Sequence, residues 1–168
     1  EDYGNSRYGT AIVGTVSGTS ISFGSEVVFD STAIEMVGTV HDPSTGKNVV
    51  ANKRGSDNNG VAQVATISGT SVSFGSQAVF NSTGTYYINA VYDSNANKVV
   101  LCYENDGGGS IGQAKVCTIS GTSISFGTAA TFSEAGDSVN WVTAGFDSSQ
   151  NRVVVVTAAT GQTISRFN

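Results

Sequence analysis

The chain has 168 residues, enough for one domain with a sizeable core, and a formal net charge of −5. Its eight Lys and Arg residues (Arg7, Lys47, Lys53, Arg54, Lys98, Lys115, Arg152, Arg166) do not cluster, which argues against nucleic acid or an anionic membrane surface as partner, because both are held by grouped cations. No apolar run approaches the ~20 residues of a bilayer-spanning helix, so no membrane insertion is expected.

Residue types point to strands. There are 22 Val against a single Leu, Leu101, and β-branched side chains suit a pleated sheet. The 21 Gly suit a chain with many tight turns. After the polar residues 1–9, residues 10–16 read as a strand, closed by the turn Ser17-Gly18-Thr19. Residues 20–24 alternate polar and apolar, so Ile21 and Phe23 share a face, and Val27-Val28-Phe29 continues that strand past a bulge at Gly24. A turn at Asp30-Ser31-Thr32 leads to a strand over 34–41, the turn Asp42-Pro43-Ser44-Thr45-Gly46-Lys47, and a strand over 48–52. After the loop 55–60 the cycle restarts, with strands at 61–67, 71–80, 86–92 and 98–103, and then at 113–119, 123–132, 139–146 and 152–157.

The restart is a true repeat. Val16 to Gly24 returns as Ile67 to Gly75 and as Ile119 to Gly127, at intervals of 51 and 52 residues. Four short strands per ~51 residues are the signature of a β-propeller blade. The segments 49–51, 99–101 and 153–156 are apolar on both faces, as a sheet stacked between two others requires and a sandwich does not. Small residues at matched positions (Gly38-Thr39, Asn89-Ala90, Thr143-Ala144) mark 34–41 and its equivalents as innermost strands. On that phase residues 1–168 form one repeat domain: outer strands over 10–30, blades over 34–80 and 86–132, and inner strands over 139–157. The two terminal pieces add up to a third blade. Three blades fall short of the usual four to eight, so a head-to-tail homodimer completing a six-bladed ring is expected; the alternatives are a three-sheet β-prism made by one chain and a fragment of a longer propeller.

No enzyme motif is present. The single histidine, His41, aligns with Tyr92 and Phe146 and reads as an aromatic substitute at a strand end, and no Ser-His-Asp set or zinc spacing can be assembled. No catalytic residue, cofactor or metal is expected. Asp42, Asp93 and Asp147 each open a strand-connecting turn and read as acceptors for that turn's own backbone. The acidic loops Glu1-Asp2, Asp57-Asn58-Asn59 and Glu104-Asn105-Asp106 carry oxygen ligands without a calcium-loop spacing and read as solvated loops. Cys117 aligns with Gly14 and Ala65, and Cys102 with Asn52 and Val156, so both read as small core fillers. The series Met36, Tyr87 and Trp141 matches near the start of the inner strands, beside Glu35, Tyr86 and Asn140. Aromatic faces with adjacent amide, phenol and carboxylate groups are what a sugar ring needs, and Tyr86, Tyr87, Asn140 and Trp141 are the candidate ligand-binding residues. Large side chains packing between sheets are the competing explanation of the series.

The segment Gly9 to Phe29 is similar to repeats of virion and tail-fibre proteins of marine bacteriophages, and Tyr92 to Val100 resembles the matching hairpin. The likeness spans nearly the whole chain and rests on Gly/Ser/Thr/Val-rich motifs. It implies a role on the particle, such as host-surface attachment or decoration, and transfers no catalytic residue. With no enzyme motif present either, the expectation is a non-enzymatic binding module of viral origin, on the virion or extracellular, that recognises a surface glycan or a virion or host protein. A decoration or spacer protein without ligand is the second expectation, and a propeller glycosidase or lyase, with paired carboxylates across a pocket, the third.

Overall fold

Each Ser-Gly-Thr segment makes the same two-residue hairpin turn. Gly18, Gly69 and Gly121 have φ of 60°, 59° and 61°. The flanking serines pair across the turn: Ser17 with Ser20, Ser68 with Ser71, and Ser120 with Ser123. Only glycine enters this left-handed region freely, and a hairpin with it at the first central position keeps the strand twist.

The computed structural model describes residues 6–134 and 137–160, so Glu1, Asp2 and Arg166 lie outside the described residues. The described chain is all-β, with one short 3-10 turn at Asp106–Gly108. A first sheet contains β1 (Tyr8–Ala11), β4 (Val27–Asp42), β5 (Lys47–Arg54), β6 (Gly60–Ser68) and β7 (Ser71–Phe74) in that order, with β8 (Ala78–Asn81) also on β6. A second runs β12 (Ser123–Phe126), β11 (Ile111–Ser120), β10 (Lys98–Asn105), β9 (Thr85–Asp93), with β13 (Ala130–Thr131) also on β11. Two hairpins stand apart from these ladders: β2 (Gly14–Ser17) with β3 (Ser20–Phe23), and β14 (Ser138–Asp147) with β15 (Arg152–Thr160).

The structure departs from the sequence reading at the strand breaks of every repeat and at one turn. The strand expected over 10–16 divides at Ile12-Val13, because β1 pairs with β4 while β2 pairs with β3. The strand expected to run from 20–24 on through Val27-Val28-Phe29 ends at Phe23, with Val27 opening β4. The strands expected over 71–80 and 123–132 divide at residues 75–77 and 127–129, with both parts of the first on β6 and both parts of the second on β11. At these breaks the amides of Gly24 and Gly75 donate to the carbonyls of Val13 and Val64, each at 2.9 Å. The turn expected at Asp30-Ser31-Thr32 is spanned by β4. Asp30 does accept from the Thr32 amide at 2.9 Å, but Ala33 pairs with Tyr8 and the Ile34 amide donates to the Arg7 carbonyl at 3.0 Å, which carries the ladder through.

The sheets pack face to face, with β9 between β4 and β14. One core layer joins the first and second sheets through Val49, Ala51 and Val64 on one side and Ile88, Leu101 and Tyr103 on the other. A second layer joins the opposite face of the second sheet to β14 and β15 through Cys102, Val139 and Val142. Alternate residues of β10 therefore enter different cores, which is why its pattern has no polar face. Burying one such Val or Leu side chain contributes roughly 1.5–3 kcal/mol, so each layer outweighs any single turn contact. Small residues let the strands approach: a Cβ on Gly38 would lie 3.2 Å from the Ile88 carbonyl, and Asn89 Oδ1 accepts from the Ala144 amide at 3.1 Å.

The ladder corrects one alignment. Asp42, Asp93 and Asp147 face Lys47, Lys98 and Arg152, which places Ala51, not Asn52, at the position of Cys102 and Val156. Matching the valine doublets had shifted β5 by one residue. Both cysteines are buried and free, and burial pushes the Cys102 thiol up to about 11 and the Cys117 thiol up to about 12.

Candidate functional site

The strands β4, β9 and β14 carry the same defect. Met36 and Val37 together face Asn52; Tyr87 and Ile88 face Tyr103; Trp141 and Val142 face Thr157. Two residues opposite one make a β-bulge, and the first residue of each is left-handed: φ is 51° at Met36, 49° at Tyr87 and 53° at Trp141. For a non-glycine residue this costs on the order of 1–2 kcal/mol. The bulge turns the large side chain out of the alternation while the second residue stays on the packing face. Ile88 and Val142 are buried there, and Val37 is exposed.

The three bulges place their side chains in a row. The Tyr87 and Trp141 ring centroids lie 5.2 Å apart, and those of Tyr86 and Tyr87 6.4 Å apart. A cleft of about 370 Å³ is lined by Met36, Tyr87, Trp141 and the residues that follow them. Trp141 is 71% exposed, an unusual state for the chain's one tryptophan. Of the four residues singled out from sequence, the ring contacts join Tyr86, Tyr87 and Trp141. Asn140 takes the place of Tyr86 one strand further on, part-buried, opposite Ala158.

A polar flank borders the row; sequence reasoning named Glu35 in it but missed Lys53 and Arg7. Lys53 Nζ stands 4.1 Å above the Tyr86 ring and 3.0 Å from Glu35 Oε2, while Arg7 reaches Glu35 Oε1 at 2.7 Å. The bonds from Lys53 and Arg7 hold the Glu35 carboxyl below its ordinary value. Burial alone would lower the Lys53 pKa, but its bonds to Glu35 and Tyr86 raise it. The available signal was the cross-strand pairing of Glu35 with Lys53, an opposite-charge pair of the kind that stabilises neighbouring strands.

Other candidates resolve into turn structure. Asp42, Asp93 and Asp147 accept the amides of Ser44, Asn95 and Ser149 at 2.9, 2.9 and 2.8 Å. His41 is exposed near the end of β4. Asp57 binds Arg54 and the Asn59 amide, and Asp106 accepts from Ser110 Oγ at 3.1 Å. Among the described residues no three His, Cys, Asp or Glu side chains converge on a metal-sized site, and no helix is long and apolar enough to cross a membrane. No protein-family model, curated protein or solved structure matches the chain.

Proposed function

We propose that this chain is a non-enzymatic attachment module that recognises a glycan or a partner protein through the aromatic row at its bulges. The observation that carries this reading is the recurrence of a large left-handed residue at Met36, Tyr87 and Trp141. Glycine would satisfy the backbone at all three, so retaining Met, Tyr and Trp is a cost met for the side chain. Sugar rings stack on such faces, and Lys53, Glu35 and Asn140 supply the polar groups that fix hydroxyls. Repetition along the row adds avidity to weak single contacts.

On this reading the stacked sheets are propeller blades, with β4, β9 and β14 innermost. Two chains close head to tail into a six-bladed ring on a virion or in the extracellular space, as the tail-fibre resemblance implies. The Tyr87–Trp141 contact also joins the second sheet to β14, and this favours a second reading, a decoration or spacer protein without ligand. A glycan array followed by calorimetry on hits separates the two. Binding lost in Trp141→Ala supports attachment; a blank array, or binding unchanged in that variant, supports the spacer.

A further inference from the structure

Among the described residues, the packing contact that stacks one hairpin on the next has an unfilled half at the first hairpin and at the third. A Cβ on Gly24 would lie 2.1 Å from the Thr70 carbonyl oxygen, and one on Gly75 would lie 1.8 Å from that of Thr122. The bare glycine backbone of one hairpin thus seats the Ser-Gly-Thr turn of the following hairpin, twice. The third glycine, Gly127, is exposed, and a Cβ there would meet nothing closer than its own ladder partner, the Val116 carbonyl, at 3.7 Å. The first threonine, Thr19, is exposed, and no glycine among the described residues seats it.

The strand edges are complementary in the same sense. β5 and β10 each pair on both sides, with β4 and β6 and with β9 and β11. Their counterpart β15 has one partner among the described residues, β14. β1 and β2, the counterparts of β6, pair with β4 and β3 on their outer side and have no partner among the described residues on the inner side. Transferring the observed register (Val49 with Val64, Ala51 with Ala62) sets Val154 opposite Val13 and Val156 opposite Ala11.

The faces agree. Val154 and Val156 are 51% and 58% exposed, whereas Val49 and Ala51 at the same positions in β5 are fully buried. Phe23 and Val16 are exposed on the N-terminal hairpin, while their counterparts in the third hairpin, Phe126 and Ile119, pack against the core. A cleft of about 350 Å³ opens on the first sheet beside Val37, Thr39, Asn48 and Val50, the side on which inner strands are missing.

We infer that the occupant of these faces is a second copy of this chain, docked head to tail. In each junction β15 adds to the partner's β1–β2 edge in the register given above, the partner's Thr19 turn seats on Gly127, and Val154 and Val156 fill the partner's 350 Å³ cleft. The open faces continue the sheet-on-sheet interface that the chain already makes internally, so no new type of contact is required. The pair closes with twofold symmetry, which leaves no open junction of this kind for further growth. The partner's Met36 comes to lie beside Trp141, so the aromatic row becomes one uninterrupted ring of six positions. This inference rests on the ring reading and gives it a residue-level interface.

Light scattering after size exclusion, with wild type and Gly127→Val without any ligand, tests it. The wild type is expected at twice the 17.2 kDa chain mass. Gly127→Val, which the isolated chain accommodates and the partner's Thr19 turn does not, is expected at one chain mass with an unchanged far-UV spectrum. Val156→Lys, at a different part of the same junction, is expected to dissociate the pair as well. A monomeric wild type overturns both this interface and the ring. A dimer that withstands both substitutions overturns this interface and leaves the ring standing.

Discussion

The left-handed bulge at Trp141 makes a sign prediction that isolates backbone from side chain. Trp141→Ala and Trp141→Gly remove the same ring and the same contact with Tyr87, so the difference between them reports the backbone alone. In a regular strand alanine is the more stable of the two by roughly 0.5–1 kcal/mol, because glycine loses more freedom on folding. At φ 53° the order reverses. Alanine there costs about 1–2 kcal/mol that glycine does not, which leaves the glycine variant more stable by up to about 1.5 kcal/mol. For a chain of this length that corresponds to a Tm difference of up to roughly 6 °C. Urea and thermal melts followed by far-UV circular dichroism at one protein concentration measure it. The same pair of substitutions at Thr118, an exposed position in β11 outside the left-handed set, is the control and is expected to show the ordinary order. An alanine variant at position 141 as stable as the glycine variant, or more so, would refute the bulge and with it the aromatic row.

Three further outcomes are expected. Asn52 is fully buried, and no protein group among the described residues bonds its Oδ1 or Nδ2; Asn52→Val is expected to raise unfolding free energy by about 1–3 kcal/mol in urea titration. The native thiols of Cys102 and Cys117, with pKa values pushed to about 11 and about 12 by burial, are expected to resist a thiol reagent at mildly alkaline pH and to react only on addition of denaturant. The Glu35 carboxyl is held below its ordinary 4.5 by Lys53 and Arg7, so its contribution is complete above that value and is lost as pH falls through the lower folded value. Between about pH 5 and about pH 3 the wild type should therefore lose more stability than Glu35→Gln, and equal losses would refute the ion network.

How much of this was legible in the sequence follows from what each feature looks like locally. The Ser-Gly-Thr turns were readable because a two-residue hairpin demands glycine, and the turn aspartates because a short carboxylate caps its own turn. The double-sided burial of β10 was readable because Val99, Val100 and Leu101 offer no polar face. The partner exchange at Ile12-Val13 was not, because the residue pattern is the same whichever neighbour a strand pairs with. The bulges at Met36, Tyr87 and Trp141 were hidden because the residue that normally announces a left-handed backbone, glycine, is absent from all three. Repeat alignment alone nonetheless sets Met36, Tyr87 and Trp141 at one matched position and Glu35, Tyr86 and Asn140 at the adjacent one. The Glu35–Lys53 pair was missed because an unbroken ladder from Asp42 and Lys47 sets Glu35 opposite Arg54, and only the bulge at Met36 moves it to Lys53. Matching the valine doublets between repeats gave Cys102 the wrong counterpart, Asn52 in place of Ala51.

The account stands on the open ends of the stack being two halves of one junction. Mixing a chain that carries Ala11→Cys with a chain that carries Val156→Cys, refolding them together and oxidising, probes that junction directly. The account predicts a disulfide-linked species of two chains from the mixture and none from either variant alone, since Ala11 faces Val156 and neither faces itself. No linked species from the mixture, or equal linking by each variant alone, would contradict it.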